Sequence, residues 1–306
     1  MNGRHITRGL IITFALLASA LAASAQEMPP DYAQVLSTLG RQGDFKDKVL
    51  KVNIPRNDLK VTVAGIATPT PFGFGGWVAL TKGDGGHDVL MGDLVLLQDE
   101  VNPVMSALLA NGFDVTALHN HFFWDEPRIF YMHVHGHGMA ADLARSLKPA
   151  LDLIGKRVPG SAPGAVAAPA ASSTLTPAPL AQIVGQPGEQ TGAVYKITLG
   201  RSDLTVTEMG ATINARMGLN TWAAFTGTDA HAAVAGDIAM LESEVTPVLK
   251  ALRANGIDVV AIHHHMTQER PMIIFLHYWG TGAAETLARG VKAAVDELGK
   301  HGGASR

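Results

Sequence analysis

The sequence predicts an α+β protein made of two tandem ferredoxin-like (split βαβ) domains with mainly antiparallel sheets. Three observations predict it. The chain repeats itself on either side of a low-information middle. Each copy reads strand–helix–strand–strand–helix, the order of a split βαβ unit. The 306 residues are 47% hydrophobic and 17% charged, so there is apolar side chain for two cores and no case for disorder. With 24 Lys and Arg against 27 Asp and Glu, the formal charge is −3, and no nucleic-acid partner is expected. Cysteine is absent, which removes disulfides, thiolate zinc sites and cysteine nucleophiles.

Residues 1–25 read as a signal peptide. Arg4 and Arg8 precede an apolar run over 9–23, and Ala23-Ser24-Ala25 offers small residues for cleavage before Gln26. The run is shorter than the ~20 residues that span a bilayer. The expected product is periplasmic or secreted, with no membrane span after cleavage. The first α+β repeat then covers 26–155, an Ala/Pro-rich linker 156–178, and the second repeat 179–306. The repeats match residue by residue. Arg56, Asp58 and Trp77 recur as Arg201, Asp203 and Trp222, an offset of 145. One deletion later, Asp93, Glu100, His119, His121 and His133 recur as Asp237, Glu244, His263, His265 and His277, an offset of 144. Two copies of this length are a domain duplication rather than a solenoid.

The elements follow in order within each copy. Residues 51–54 and 59–63 read as short strands around an Arg-x-Asp turn, and Arg56/Asp58 and Arg201/Asp203 as salt links in it. Residues 77–80 and 93–97 are further strands; Trp77 and Trp222 are assigned to the core, and Asp93 and Asp237 to turns. Asp99 and Ser243 are placed as helix caps. Val101, Val104, Met105 and Leu108 recur at helical spacing, and Asn111-Gly112 ends that helix. Residues 115–122 and 128–135 form a hairpin with a short turn ending in Pro127. Residues 140–153 form the second helix.

The hairpin carries most of the unusual chemistry. Side chains alternate faces along a strand, so His119 and His121 share a face and the pairing brings His133 beside them, near His119. Leu118, Phe122, Phe130, Met132 and Val134 take the helix-covered face. The second copy repeats this with His263, His265 and His277; His264 stands where the first copy has Asn120 and points away. Clustered imidazolium ions repel one another, and a divalent cation resolves that by holding the rings neutral. Nitrogen ligands suit a transition metal, zinc foremost with copper or iron as alternatives, better than calcium or magnesium. Asp125 and Glu269 are candidate fourth ligands, and His87 and His231 could join from another strand. Glu100 and Asp125 are the candidate catalytic bases; Glu100 and Glu244 also suit a first helical turn. There is no phosphate loop or serine nucleophile elbow.

Residues 92–97 (GDLVLL), 99–104 (DEVNPV), 115–121 (VTALHNH) and 127–133 (PRIFYMH) together resemble the LppY/LpqO family of exported bacterial proteins. That family is a domain of unknown function, so the resemblance implies export and two tandem copies but no reaction. Some relatives are lipoproteins, and this chain has no cysteine to lipidate. The expected function is therefore an exported protein that binds a transition metal through two sites, His119/His121/His133 and His263/His265/His277. Its partners are a metal ion or small-molecule ligand. The alternatives are a metal-dependent hydrolase using a metal-activated water, and a non-metal envelope protein that binds a ligand or serves structure.

Overall fold

Residues 26–156 and 172–300 are described in the computed structural model. The expected signal peptide and most of the expected linker, residues 157–171, lie outside the described residues. The linker's far end is folded. Thr174 and Thr176 donate backbone hydrogen bonds to Gly227 and Asp229, and a helix starts at Pro177.

The first repeat opens with helix α1 (Pro30–Leu39) and strands β1 (Gly43–Lys46) and β2 (Val49–Pro55). A small hairpin, β3 (Val61–Val63) and β4 (Ile66–Thr68), precedes β5 (Gly75–Lys82) and β6 (Asp88–Leu97). Helix α2 (Gln98–Ala110), β7 (Asp114–His119), β8 (Asp125–Glu126), β9 (Ile129–Gly138) and α3 (Ala140–Leu151) complete it. The main sheet has the order β1-β2-β5-β6-β9-β7, antiparallel throughout. The second repeat runs α4 (Pro177–Val184), β10 (Glu189–Thr191), β11 (Val194–Gly200), the hairpin β12 (Val206–Glu208) and β13 (Ala211–Ile213), and β14 (Asn220–Gly227). It continues through β15 (Ala232–Met240), α5 (Glu242–Ala254), β16 (Asp258–His263), β17 (Ile274–Gly282) and α6 (Ala284–Val295). Its sheet order, β10-β11-β14-β15-β17-β16, is the same.

The chain is thus a mixed α/β protein of two repeats with mainly antiparallel sheets. The ferredoxin-like expectation is not met beyond that level. Each main sheet has six strands, and there are further small sheets, β4-β3-β8 and β12-β13. Among the described residues no strand follows α3 or α6 to close a ferredoxin-like unit. No described helix is long and apolar enough to cross a membrane.

Burial explains how the layers stack. β15 is buried at every position and β6 at nearly every one. A strand buried on both faces loses the alternation of a half-exposed one. The outer faces pack on helices: Leu94, Leu96, Met132 and Val134 meet Val104, Leu108, Ala144 and Leu147 in one core, and Ile238, Leu276, Val248 and Val291 share the matching core of the second repeat. The inner faces pack on each other. One inner cluster joins Ala79, Val89 and Met91 to Val206, Met217 and Phe275; another joins Phe72, Val95 and Phe122 to Ala224, Ala235 and Trp279. The order of layers is helix, sheet, sheet, helix.

Several local expectations shift. Helix α2 starts at Gln98, which puts Asp99 inside its first turn, and the Glu100 carboxylate accepts from the Leu97 N–H at 2.8 Å, as Glu244 does from Leu241 at 2.7 Å. The hairpin connection is long, residues 120–128, because β8 leaves the main sheet to pair with β3. Phe122, past the end of β7, turns inward to Phe72 and Phe74 instead of outward to the helices. Leu118 and Ile262 are exposed.

Candidate metal centre

β7 and β9 pair with a register shift between Val115 and Ala117, so Ala117 faces His133 and His119 faces Tyr131. The second repeat has the same irregularity, with Ala261 opposite His277 and His263 opposite Phe275. His119 is therefore two residues from its expected partner, yet its ring still reaches His133, with centroids 5.0 Å apart, and His121 at 5.2 Å. The inner faces meet here, and the histidines of both repeats interleave. His119 stacks on His263 at 3.8 Å, His121 lies 3.6 Å from His277, and His133 lies 4.0 Å from His265. The two separate sites expected from the sequence are one cluster of six rings between the sheets.

The nitrogen geometry makes the same correction. Among the described residues, the groups whose ligand atoms lie within 4.8 Å of one another are His119/His263/His277 and His133/His263/His265. Each draws on both repeats. Nδ1 of His133 bonds the Gly92 carbonyl at 3.3 Å, and Nδ1 of His277 bonds the Gly236 carbonyl at 3.1 Å. With Nδ1 protonated for that bond, Nε2 carries a lone pair into the cluster. His121 and His265 lie flat against Tyr131 and Phe275. Burial holds all six rings neutral. His133 and His277 are pushed down to about 3, and His119, His121, His263 and His265 fall well below the usual histidine range, with the neighbouring rings adding to the effect.

Asp93 and Asp237 stand beside the rings, not in turns. Their carboxylates lie 4.0 Å from Nε2 of His121 and 3.6 Å from Nε2 of His265. Burial pushes Asp93 up to about 8, and burial together with Asp93 holds Asp237 well above the usual carboxylate range. These two belong to the site, and sequence reasoning missed them because each follows a glycine and reads as a turn.

The other candidates are placed elsewhere. Both Glu100 oxygens are engaged: Arg56 bonds them at 2.6 and 3.2 Å, and the backbone N–H groups of Leu97 and Gly155 donate to them. Arg56 also bonds Asp58, the expected turn link, and the Val95 carbonyl. Asp125 accepts from the Ile129 N–H at 2.6 Å and Glu269 from the Ile273 N–H at 3.0 Å, so both brace the long connection. His87 is exposed and contacts the His137 ring; His231 is exposed in a turn. His264 takes over the task of Asn120: the two side chains bond the backbone carbonyls of Ile273 and Ile129. The replacement leaves the second repeat's contribution intact.

A cavity of about 290 Å³ reaches the cluster at His121, His265 and His277. Trp77 and Trp222 pack against the inner cores on one side and wall the cavity on the other, and Lys51 and Lys196 lie over their rings. Sequence reasoning missed both lysines, although they match at the repeat offset of 145.

The model of the family described as Domain of Unknown Function (DUF1259) matches residues 33–153 and again residues 178–297. The chain belongs to this family. The two DUF1259 copies coincide with the two structural repeats and supply the two halves of the histidine cluster. No curated protein matches the chain. Among solved structures, the double ringed trimeric shell protein MSM0271 from the RMM microcompartment is 13% identical, with 69% of this chain and 82% of that chain covered and a TM-score of 0.18. EtuB from Clostridium kluyveri is 9% identical, with 84% and 90% covered and a TM-score of 0.19. The trimeric bacterial microcompartment shell protein PduB is 11% identical, with 83% and 88% covered and a TM-score of 0.20. Likeness at these scores carries no argument about this chain.

Proposed function

We propose that this is an exported protein of the LppY/LpqO type that holds one divalent transition metal, zinc foremost, in a histidine centre shared by its two repeats. The observation that carries the reading is the set of buried ring nitrogens. Both nitrogens of His119, His121 and His263, Nε2 of His133 and His277, and Nδ1 of His265 are buried with no hydrogen-bond partner among the described residues. Each such group costs about 1–3 kcal/mol when left unmet. A metal ion engages three or four lone pairs at once and offsets that cost. The backbone carbonyls that hold Nδ1 of His133 and His277 are the kind of outer contact that fixes the tautomer and aim of a ligating imidazole. An all-nitrogen donor set disfavours calcium and magnesium. Tetrahedral arms of 2.0–2.1 Å put ligand nitrogens roughly 3.3 Å apart, so trios within 4.8 Å need only small adjustments to close.

The hydrolase reading has one observation in its favour, the cavity that meets the histidines. Glu100 has both carboxylate oxygens engaged in holding the fold, and Asp125 has one held by the Ile129 N–H. Asp93 and Asp237 stand at the rings instead.

The two candidate trios share His263, and a neutral imidazole offers one lone pair. They exclude each other, so the expected stoichiometry is one ion per chain. Elemental analysis of protein purified from its native compartment should show it, and His263→Ala should lower the content at least tenfold. A wild-type chain without bound transition metal, or an alanine variant that keeps its metal, defeats the proposal.

A further inference from the structure

The cavity beside the histidines holds a feature the metal does not use. Its inner end is walled by His121, His265 and His277, all buried; its outer end reaches exposed Asn53 and Pro71. Lys51 and Lys196, one from each repeat and both half-buried, line the same cavity. The Lys51 ammonium sits 4.5 Å from the Trp77 ring centre and the Lys196 ammonium 4.0 Å from that of Trp222. Neither has a hydrogen-bond or ion-pair partner among the described residues.

A tryptophan face fixes an ammonium in place but supplies no counter-charge. A lysine on a flexible stem ordinarily takes its charge to water or to a carboxylate. Here two of them are held towards one small space, where like charges repel. The carboxyl groups of the same cavity, Asp93 and Asp237, face the imidazoles of His121 and His265 and attract the lysines only from beyond ion-pair distance. What relieves two held, unpaired cations is an anion between them. The volume lies at the lower edge of small-molecule sites, about 300–1,000 Å³, which suits a ligand of a few heavy atoms and excludes a nucleotide or a peptide.

We propose that this cavity binds a small oxyanion, a carboxylate or a phosphate, with its charge between Lys51 and Lys196 and its far side against the histidine centre. The anion site stands on the lysine geometry alone; only the ligand's role as companion to the metal rests on the metal-centre reading.

The test is calorimetric titration of the full chain, metal-free and zinc-loaded, with inorganic phosphate and with succinate as separate probes. At least one probe should bind saturably. Affinity should fall about tenfold or more in Lys51→Met/Lys196→Met, as expected for lost charge-assisted hydrogen bonds. It should return in Lys51→Arg/Lys196→Arg. Methionine keeps an unbranched stem on each tryptophan, so zinc content should not change. If the double variant does not fold, the single variants carry the test, each losing affinity several-fold. A response to phosphate alone assigns a phosphate ligand, and to succinate alone a carboxylate. No saturable binding of either probe to the wild type, or equal binding to the methionine variants, overturns the proposal. Probe binding without zinc uptake refutes the metal reading and leaves the anion site standing; zinc uptake without probe binding does the reverse.

Discussion

At the residue scale, the centre is a set of groups whose ordinary charges burial suppresses, and this fixes how the metal-free protein responds to pH. His133 and His277 titrate near 3 when folded and near 6.5 when unfolded. As pH falls below 6.5 the unfolded chain takes up protons that the folded chain refuses, so stability drops. The other four rings act in the same direction. Asp93 works oppositely. Its folded value of about 8 lies above the ordinary aspartate value of 3.8, so the folded chain keeps a proton that the unfolded chain has released, and stability drains away as pH rises towards 8. Asp237 adds to that side. Six imidazoles outweigh two carboxyls below pH 6.5, and between 6.5 and 8 the carboxyls dominate; Lys51 and Lys196, pushed down to about 8 by burial, act the other way only above that. The chelator-treated protein should therefore melt highest near pH 6.5 and lower on both sides. A melting temperature that is flat from pH 5 to 8 would show that the rings are not buried as described. The sequence made the histidines visible because each sits at a matched position. It hid the two aspartates because a carboxyl forced into an apolar strand looks, in one dimension, like a turn residue.

At the element scale, Glu100 ties together pieces that are far apart in the chain. Through Arg56 it joins the end of β2 to the Val95 carbonyl of β6, and directly it holds the first turn of α2 and the Gly155 N–H beyond α3. Arg201 and Glu244 repeat the arrangement, with Gly299 in place of Gly155. Breaking a buried ion pair by removing one partner costs about 3–5 kcal/mol, because the other charge is left without compensation. Glu100→Gln should lower the melting temperature sharply while metal content per folded chain stays at the wild-type level. Loss of metal with an unchanged melting temperature would return Glu100 to the site. Most of the elements were legible, since helical spacing and the Asn-Gly stop depend on neighbours close in sequence. The register of β7 on β9 was not. It depends on a bulge that no local pattern announces, and it moved His119 from opposite His133 to opposite Tyr131.

At the scale of the whole molecule, the duplication explains what neither copy could show alone. Strand β6 (Asp88–Leu97) is buried at nearly every position, so both of its faces are covered, while its sequence, with Gly92 and Asp93 among apolar neighbours, does not say by what. The helices of its own repeat cover one face. The cover on the other is the second repeat, and a single copy's sequence has no means of expressing that. The inner face also carries His119, His121 and His133, so covering it is the act that assembles the centre. Residues 26–156 and 172–300 produced as separate chains should then each expose a broad apolar face with three histidines on it. Such a face favours association, and each half should bind zinc far more weakly than the whole, because both trios within ligating distance among the described residues need both halves. Mixing the two should restore a one-to-one complex that takes up zinc, with light scattering reporting the assembly and elemental analysis the metal. If either half alone binds zinc as tightly as the full chain, the centre belongs to single repeats, and the interleaving of the six rings has no bearing on metal binding.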